Sequence, residues 1–308
     1  MDRREFLKKG VQAGLLTTAT FSIPGFYGSY ISKRSYTAPE AYDMVAIKGG
    51  EPGQMFDEAI KSFGGMKSFV KKNQKVLIKP NIGWDVSPER GGNTNPELVS
   101  RVIKHCFDAG AKEVYVFDHT CDDWRRSYSN SGIEKAVKDA GGQIVSGSSE
   151  SYYQQVSIKK GKNLNSAEVH ELVLDSDVYI NMPILKNHGS TRISVGMKNS
   201  MGVVWDRGYW HRNDLHQCIA DFATFKRPDL TIVDAYYVMK RNGPRGVSVA
   251  DVVTMKSQIL SIDPVAADSA AAKLFGVEPD NIAYISIADS LGAGKMDLSS
   301  LKINRIIL

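Results

Sequence analysis

Residues 76–81 of the chain read Val-Leu-Ile-Lys-Pro-Asn, three aliphatic residues followed by a cation, a proline and an amide. A short run that is apolar on both faces is typical of a strand inside a sheet that is covered on both sides. In such sheets, ligands bind beyond the carboxyl ends of the strands. The stretch therefore predicts a buried parallel strand, with Lys79 and Asn81 at the end where a ligand would bind.

The pattern around this stretch repeats along the chain. Further largely apolar runs alternate with segments of helical spacing, and they occupy residues 44–47, 114–117, 178–180, 230–233 and 259–262. This alternation predicts a three-layer α/β fold, with a largely parallel sheet and helices on both faces. The fold is expected to be Rossmann-like without a dinucleotide fingerprint, because no G-x-G-x-x-G follows a strand. We assign residues 38–308 to a single α/β domain.

Length and composition exclude several classes of protein. The chain has 308 residues, of which 42% are hydrophobic and three are cysteines, so it is neither disulfide-dense nor collagen-like nor a multi-span membrane protein. Residues 1–37 contain six basic and two acidic residues, which leaves 33 basic and 32 acidic residues in 38–308. Residues 38–308 are therefore nearly neutral, which does not favour electrostatic binding to nucleic acid over a broad surface, and no nucleic-acid partner is expected.

The amino-terminal residues have the character of a targeting segment. Residues 1–7 read Met-Asp-Arg-Arg-Glu-Phe-Leu, and residues 10–32 carry no charge. This pattern resembles a twin-arginine export signal. We interpret residues 1–37 as a leader, which implies the twin-arginine export machinery as a partner and a periplasmic location. The alternative is an uncleaved leader that anchors the protein in the inner membrane, since the uncharged stretch is long enough to span it.

Charged or amide residues follow five of the predicted strands, which favours a polar crevice at the strand ends. Lysine, arginine and amide groups hold carboxylates and phosphates by charge-assisted hydrogen bonds. The crevice is thus expected to bind an anionic or polar small molecule. Its predicted ligand-binding residues are Lys79, Asn81, Asn187, Lys198, Asn199, Arg207, Asp263 and Asp268.

Three residues are predicted to have catalytic roles. His188 is the candidate general acid or base, because its unperturbed pKa is about 6.5. Lys186 would anchor the ligand beside it, and Asp234 would orient these cations or bind a divalent metal. The sequence therefore favours an enzyme that acts on an anionic or polar small molecule. A non-catalytic periplasmic ligand-binding protein is an alternative, since the same cations would serve it equally well.

A second candidate site lies further along the chain. His211, Asp214 and Cys218 are three and four residues apart, and one continuous helix would place them on one face. These side chains are ligands for divalent transition metals, so the spacing predicts a metal site. The opposing interpretation is that Cys218 is simply buried, as free cysteines often are.

Seven segments occur in a characteristic order, at 76–81, 181–188, 196–202, 227–235, 242–244, 263–268 and 292–294. Together they resemble the domain of unknown function 362 family over about residues 43–295. Some members of that family are exported, and some carry a ferredoxin-like iron–sulfur module, for which the cysteines here are too far apart. The resemblance thus implies a further alternative, a metal-binding or redox-associated protein that works with a separate iron–sulfur partner.

Overall fold

The computed structural model describes residues 42–308, so the predicted leader lies outside the described residues. The strands are β1 (Met44–Lys48), β2 (Lys75–Pro80), β3 (Glu113–Val116), β4 (Gln143–Ile144), β5 (Tyr153–Ser157), β6 (Ser166–His170), β7 (Val178–Met182), β8 (Ile184–His188), β9 (Arg192–Ser194), β10 (Leu230–Met239), β11 (Val252–Ser261) and β12 (Ile303–Ile307).

The helices are α1 (Pro52–Lys61), α2 (Pro96–Asp108), α3 (Trp124–Asn130), α4 (Ile133–Asp139), α5 (Glu171–Asp175), α6 (Gly196–Asn199), α7 (Arg207–Arg212), α8 (Leu215–Ala223), α9 (Pro264–Phe275) and α10 (Ala283–Ser290). In residues 42–308, no helix combines the length and the apolar character needed to cross a membrane.

Within residues 42–308, ten strands form one sheet, in the order β12-β1-β11-β10-β7-β2-β3-β4, with β8 paired to β10 and β9 paired to β8. Among the described strands of this sheet, β9 and β11 run antiparallel to their neighbours, and the other pairings are parallel. Strands β5 and β6 form a separate antiparallel hairpin. The prediction of a largely parallel sheet is confirmed.

Both faces of the sheet are buried, which explains why the strand at 76–78 is apolar throughout. Leu77 packs into one hydrophobic cluster, whereas Val76 and Ile78 pack into the other. Helices α1 and α2 contribute to the cluster of Val76, and helices α8, α9 and α10 contribute to the cluster of Leu77. The predicted three-layer arrangement is therefore confirmed.

Two elements differ from the sequence-based expectation. The largely apolar run at 259–262 is mostly the end of β11, which runs antiparallel to β10. Asp263 therefore emerges at the opposite edge of the sheet from the ends of β2 and β8. Residues 56–70 have helical spacing in the sequence, which predicts one helix, but α1 ends at Lys61 and is followed by Gly64 and Gly65 with positive φ angles of 81° and 83°. Local patterns indicate a strand or a helix, but they do not give strand direction.

Candidate functional site

The carboxyl ends of β2, β3 and β8 border a cavity of about 380 Å³. We call it the lysine cavity. The predicted site residues that line it are Lys79, Asn81, Lys186, His188, Lys198, Asn199, Arg207 and His211. The structure therefore brings most of the predicted anion-binding residues to one place, because the strands that carry them run parallel and end at one edge.

Lys79 lies at the end of β2 and is balanced by a carboxylate. Its Nζ forms a 2.8 Å ion pair with Oδ1 of Asp118 and donates to Oδ1 of Asn199 at 2.8 Å. Both charged side chains are almost fully buried. Burial lowers the pKa of Lys79, and the Asp118 charge opposes that effect. The positive charge of this lysine is thus already neutralised within the protein.

Lys186 has no carboxylate partner among the described residues. Its Nζ donates to Oδ1 of Asn81 at 3.0 Å and to the carbonyl oxygen of Gly92, both of which are uncharged acceptors. The side chain is 1% exposed. Burial is the main cause that lowers the pKa of Lys186 to about 7. Near neutral pH, this group can bind an anion as an ammonium or accept a proton as an amine.

Lys198 has the fewest partners of the three lysines. It lies on α6 and is 8% exposed, and its Nζ contacts Sδ of Met201 at 3.3 Å. A thioether is a weak acceptor, and among the described residues no oxygen acceptor is within hydrogen-bond distance of this Nζ. Burial lowers the pKa of Lys198 to about 8. Because a buried charge without a partner is costly, this arrangement favours a bound anion.

Arg207 adds a further positive charge at the start of α7. Its Nη1 donates to the carbonyl oxygen of His119 at 2.8 Å, and its Nη2 donates to that of Thr120 at 2.7 Å. These acceptors are neutral and leave the charge uncompensated. Among the described residues that line the cavity, Asp118 is the only carboxylate. The cavity therefore has an excess of positive charge.

The amides of the site position the lysines. Nδ2 of Asn81 donates to Oδ1 of Asn199 at 3.0 Å, and Nδ2 of Asn199 donates to Oδ1 of Asn181 at 2.8 Å. The same Asn199 oxygen accepts from Lys79, and Oδ1 of Asn81 accepts from Lys186. This network fixes the two ammonium groups relative to the ends of β2, β7 and α6.

His188 ends β8 and lines the cavity. Its Nδ1 is 3.1 Å from the backbone N–H of Ser190, which assigns the ring proton of the neutral form to Nε2. Burial lowers the pKa of His188 to about 3, with Lys198 and Lys186 acting in the same direction. The neutral imidazole at pH 7 is therefore a hydrogen-bond donor through Nε2.

Asp234 and Asn187 do not line the cavity. Asp234 is buried within β10, where it accepts hydrogen bonds from the backbone N–H groups of Asn95 (2.7 Å) and Tyr236 (3.0 Å). Oδ1 of Asn187 accepts from the backbone N–H of Gly243 at 3.0 Å. These acceptor oxygens are engaged by the backbone rather than directed into the cavity.

Asp263 and Asp268 also lie outside the cavity. Asp263 caps α9 by accepting from the backbone N–H groups of Val265 and Ala266. Asp268 is fully buried and accepts from Gly196 (2.8 Å) and Met197 (3.1 Å), the first two residues of α6. Asp268 thus acts on the cavity indirectly, by holding the short helix that carries Lys198.

The predicted metal site at His211, Asp214 and Cys218 does not form as expected. The helix is interrupted between α7 and α8. Asp214 adopts a φ of 61° there and caps α8 with its side chain. Sγ of Cys218 donates to the carbonyl oxygen of Asn213 at 3.2 Å. Within residues 42–308, no group of three or more His, Cys, Asp or Glu side chains is placed to hold a metal. The predicted common helical face is wrong because α7 ends at Arg212 and a new helix, α8, begins at Leu215.

The lining residues that were not among the predicted site residues include two with ionisable side chains that bear on the chemistry of the cavity, Asp118 and Cys121. Both follow β3, whose carboxyl end lies beside that of β2. Their position directly after a buried strand was the signal that would have identified them.

The fold and the cavity define an α/β protein with a cation-rich site at the carboxyl ends of its parallel strands. A sequence model of the family described as "Domain of unknown function (DUF362)" matches residues 76–273, more than half of the chain, and the chain belongs to this family. The family resemblance predicted from the sequence is therefore confirmed.

Known proteins of similar sequence or structure include a thylakoid-associated protein from Synechocystis. It is 26% identical over 241 residues, which cover 76% of this chain and 73% of that protein. The lactate racemase apoprotein from Thermoanaerobacterium thermosaccharolyticum has a TM-score of 0.47 and 12% sequence identity to this chain. A protein from Thermotoga maritima has a TM-score of 0.48 and 12% sequence identity. These matches cover 76% and 74% of this chain, but 57% and 60% of the two solved chains, less than two thirds of either.

Proposed function

We propose that this protein is an enzyme that acts on a small anionic molecule bound in the lysine cavity. The observation that carries the proposal is the charge balance of the site. Three buried lysines and Arg207 line the cavity, whereas Asp118 is the only carboxylate among its described lining residues. An anion that fills the cavity would supply the missing negative charge and the missing hydrogen-bond acceptors.

The residues would divide the work as follows. Lys198 and Arg207 bind the negatively charged group, since neither has a carboxylate partner among the described residues. Lys186 transfers protons, because a pKa of about 7 lets it both accept and release a proton near neutral pH. His188 donates a hydrogen bond to the ligand through Nε2. The ion pair of Lys79 with Asp118 forms the fixed wall of the site.

Isothermal titration calorimetry with inorganic phosphate and with succinate tests the binding step. Both probes are expected to bind the wild type, and Lys198→Met should weaken the better one by about ten- to a hundredfold, the loss of one charge-assisted hydrogen bond. Lys160→Met is the matched control, since Lys160 is exposed and does not line the cavity. Equal affinities for the two variants would remove the proposed site.

Turnover distinguishes an enzyme from a ligand-binding protein. The full chain is incubated with a panel of carboxylated and phosphorylated small molecules, and proton NMR follows each over time. We expect at least one to be converted by the wild type and not by Lys186→Met. Saturable binding without any conversion would favour the non-catalytic ligand-binding protein instead. The redox function with an iron–sulfur partner stays a sequence-based prediction.

We also propose export by the twin-arginine route, on the basis of Arg3, Arg4 and the uncharged stretch that follows. These residues lie outside the described part of the chain. Replacing both arginines by lysine should leave the protein in the cytoplasm, which cell fractionation measures. Normal export of that variant would contradict the proposal.

A further inference from the structure

Cys121 lines the lysine cavity but has no part in the function proposed above. Cys121 lies in the loop after β3 and is exposed, whereas Cys106 and Cys218 are buried. Its backbone N–H donates to the carbonyl oxygen of Gly83 at 2.8 Å, which holds the loop against the end of β2. The chain therefore presents one accessible thiol within its described residues, and this thiol lies in the cavity.

A cation lies beside the Cys121 sulfur. Nη1 of Arg207 lies 3.5 Å from Sγ. Three lysines are also within electrostatic reach of the sulfur. A negative charge on Cys121 raises the pKa values of Lys79, Lys186 and Lys198, although burial lowers them by more. Accessible cysteines beside lysine and arginine are the reactive ones in proteins.

An independent observation points to an anion beside this thiol. Lys198 is more than nine-tenths buried, lines the same cavity and has only a thioether as a hydrogen-bond partner among the described residues. A negatively charged reagent that enters the cavity would thus be held by Lys198 and Arg207 next to Sγ. A neutral reagent of the same reactivity would gain nothing from these cations.

We propose that Cys121 is a modification site that reacts selectively with small anionic disulfides, and that the resulting mixed disulfide fills the anion-binding cavity. In this step the Cys121 thiolate attacks one sulfur of the disulfide, an Sγ–S bond forms and the original S–S bond breaks. The electron pair of the broken bond leaves with the departing thiolate, and the disulfide is the oxidant. The inference rests on the anion binding proposed above. It adds that oxidation of Cys121 to the mixed disulfide prevents anions from binding in the same cavity.

The test compares two disulfide reagents on the full chain at neutral pH. 5,5′-Dithiobis(2-nitrobenzoate) is anionic, and 4,4′-dithiodipyridine is neutral. The measured ratio is the rate constant of the anionic reagent divided by that of the neutral reagent. This ratio should fall by about tenfold in Lys198→Met, because one nearby positive charge is lost. It should stay unchanged in Lys160→Met. Raising the ionic strength should lower the ratio for the wild type as well, without any substitution.

Three results would overturn the inference. The first is a fast-reacting thiol that persists in Cys121→Ser. The second is a ratio of rate constants that neither Lys198→Met nor salt changes. The third is phosphate binding that is unaffected after Cys121 has been modified. If phosphate binds but the ratio is insensitive to charge, the modification site is wrong and the proposed anion binding stands. If the ratio depends on Lys198 but neither phosphate nor succinate binds, the proposed function fails and the reactive thiol stands.

Discussion

At the scale of single residues, the glycine at position 202 is required by a close contact. A Cβ added there would lie 1.9 Å from Oδ1 of Asp118 and 2.6 Å from Nζ of Lys79. Both distances are far below van der Waals contact, so any larger residue must separate the buried ion pair or move the backbone. Gly202 therefore sets how closely the segment after α6 approaches the wall of the cavity.

Gly202→Ala should lower the free energy of unfolding by about 3 kcal/mol or more, the usual cost of disrupting a buried ion pair. Urea denaturation measures this change. Gly189→Ala is the matched control, because a Cβ added at Gly189 would have no atom of the described residues within 4 Å, and its effect should stay within about 0.5 kcal/mol. Similar stabilities for the two variants would show that the contact at Gly202 relaxes at little cost.

The site residues differ in how well sequence reasoning identifies them. Lys186 and Lys198 were predicted because charged and amide residues follow the predicted strands, where ligands bind, and lysines hold anions by charge-assisted hydrogen bonds. Asp234 and Asp268 looked equally suitable, yet their carboxylates accept backbone hydrogen bonds outside the cavity. An aspartate after a strand or near a helix start has the same local pattern whether it faces a ligand or a backbone N–H. Only the tertiary contacts separate the two cases.

At the scale of elements, α6 is a four-residue helix that carries Lys198 and Asn199. A helix this short has little stability of its own. Its amino-terminal N–H groups, at Gly196 and Met197, are held by Asp268 of α9. The position of Lys198 in the cavity thus depends on a carboxylate that lies 72 residues after Gly196 in the chain. No local sequence pattern reveals this dependence.

Asp268→Ala should lower the free energy of unfolding by about 2 kcal/mol or more, since two buried N–H groups lose their acceptor. The loss cannot come from helix propensity, because alanine favours the helix. Phosphate affinity, measured by calorimetry, should also fall, but less than in Lys198→Met, which removes the charge itself. Asp280→Ala, at an exposed turn, is the control and should change neither quantity. An unchanged stability in Asp268→Ala would contradict the anchoring role of this carboxylate.

At the scale of the whole molecule, buried titratable groups of both signs shape the dependence of stability on pH. Burial raises the pKa of Asp234 to about 6 and that of Asp268 to about 7. The stability that they contribute is present below the unfolded pKa of 3.8 and is lost as the pH rises through these values. Lys186 and Lys198 have lowered pKa values, so their contribution is present above 10.5 and is lost as the pH falls toward 8 and 7.

The four groups together predict that the free energy of unfolding rises between pH 7 and pH 10, at most by about 1.4 kcal/mol per pH unit for each lysine. The double variant Lys186→Met/Lys198→Met should lose this rise, because it removes both buried ammonium groups. Sulfate should raise the melting temperature of the wild type more at pH 6.5 than at pH 9.5, since the lysines bind a dianion only while they are protonated. Thermal unfolding at the two pH values measures both effects. A sulfate effect that is equal at both pH values, or that is undiminished in the double variant, would mean that the two lysines do not hold the anion.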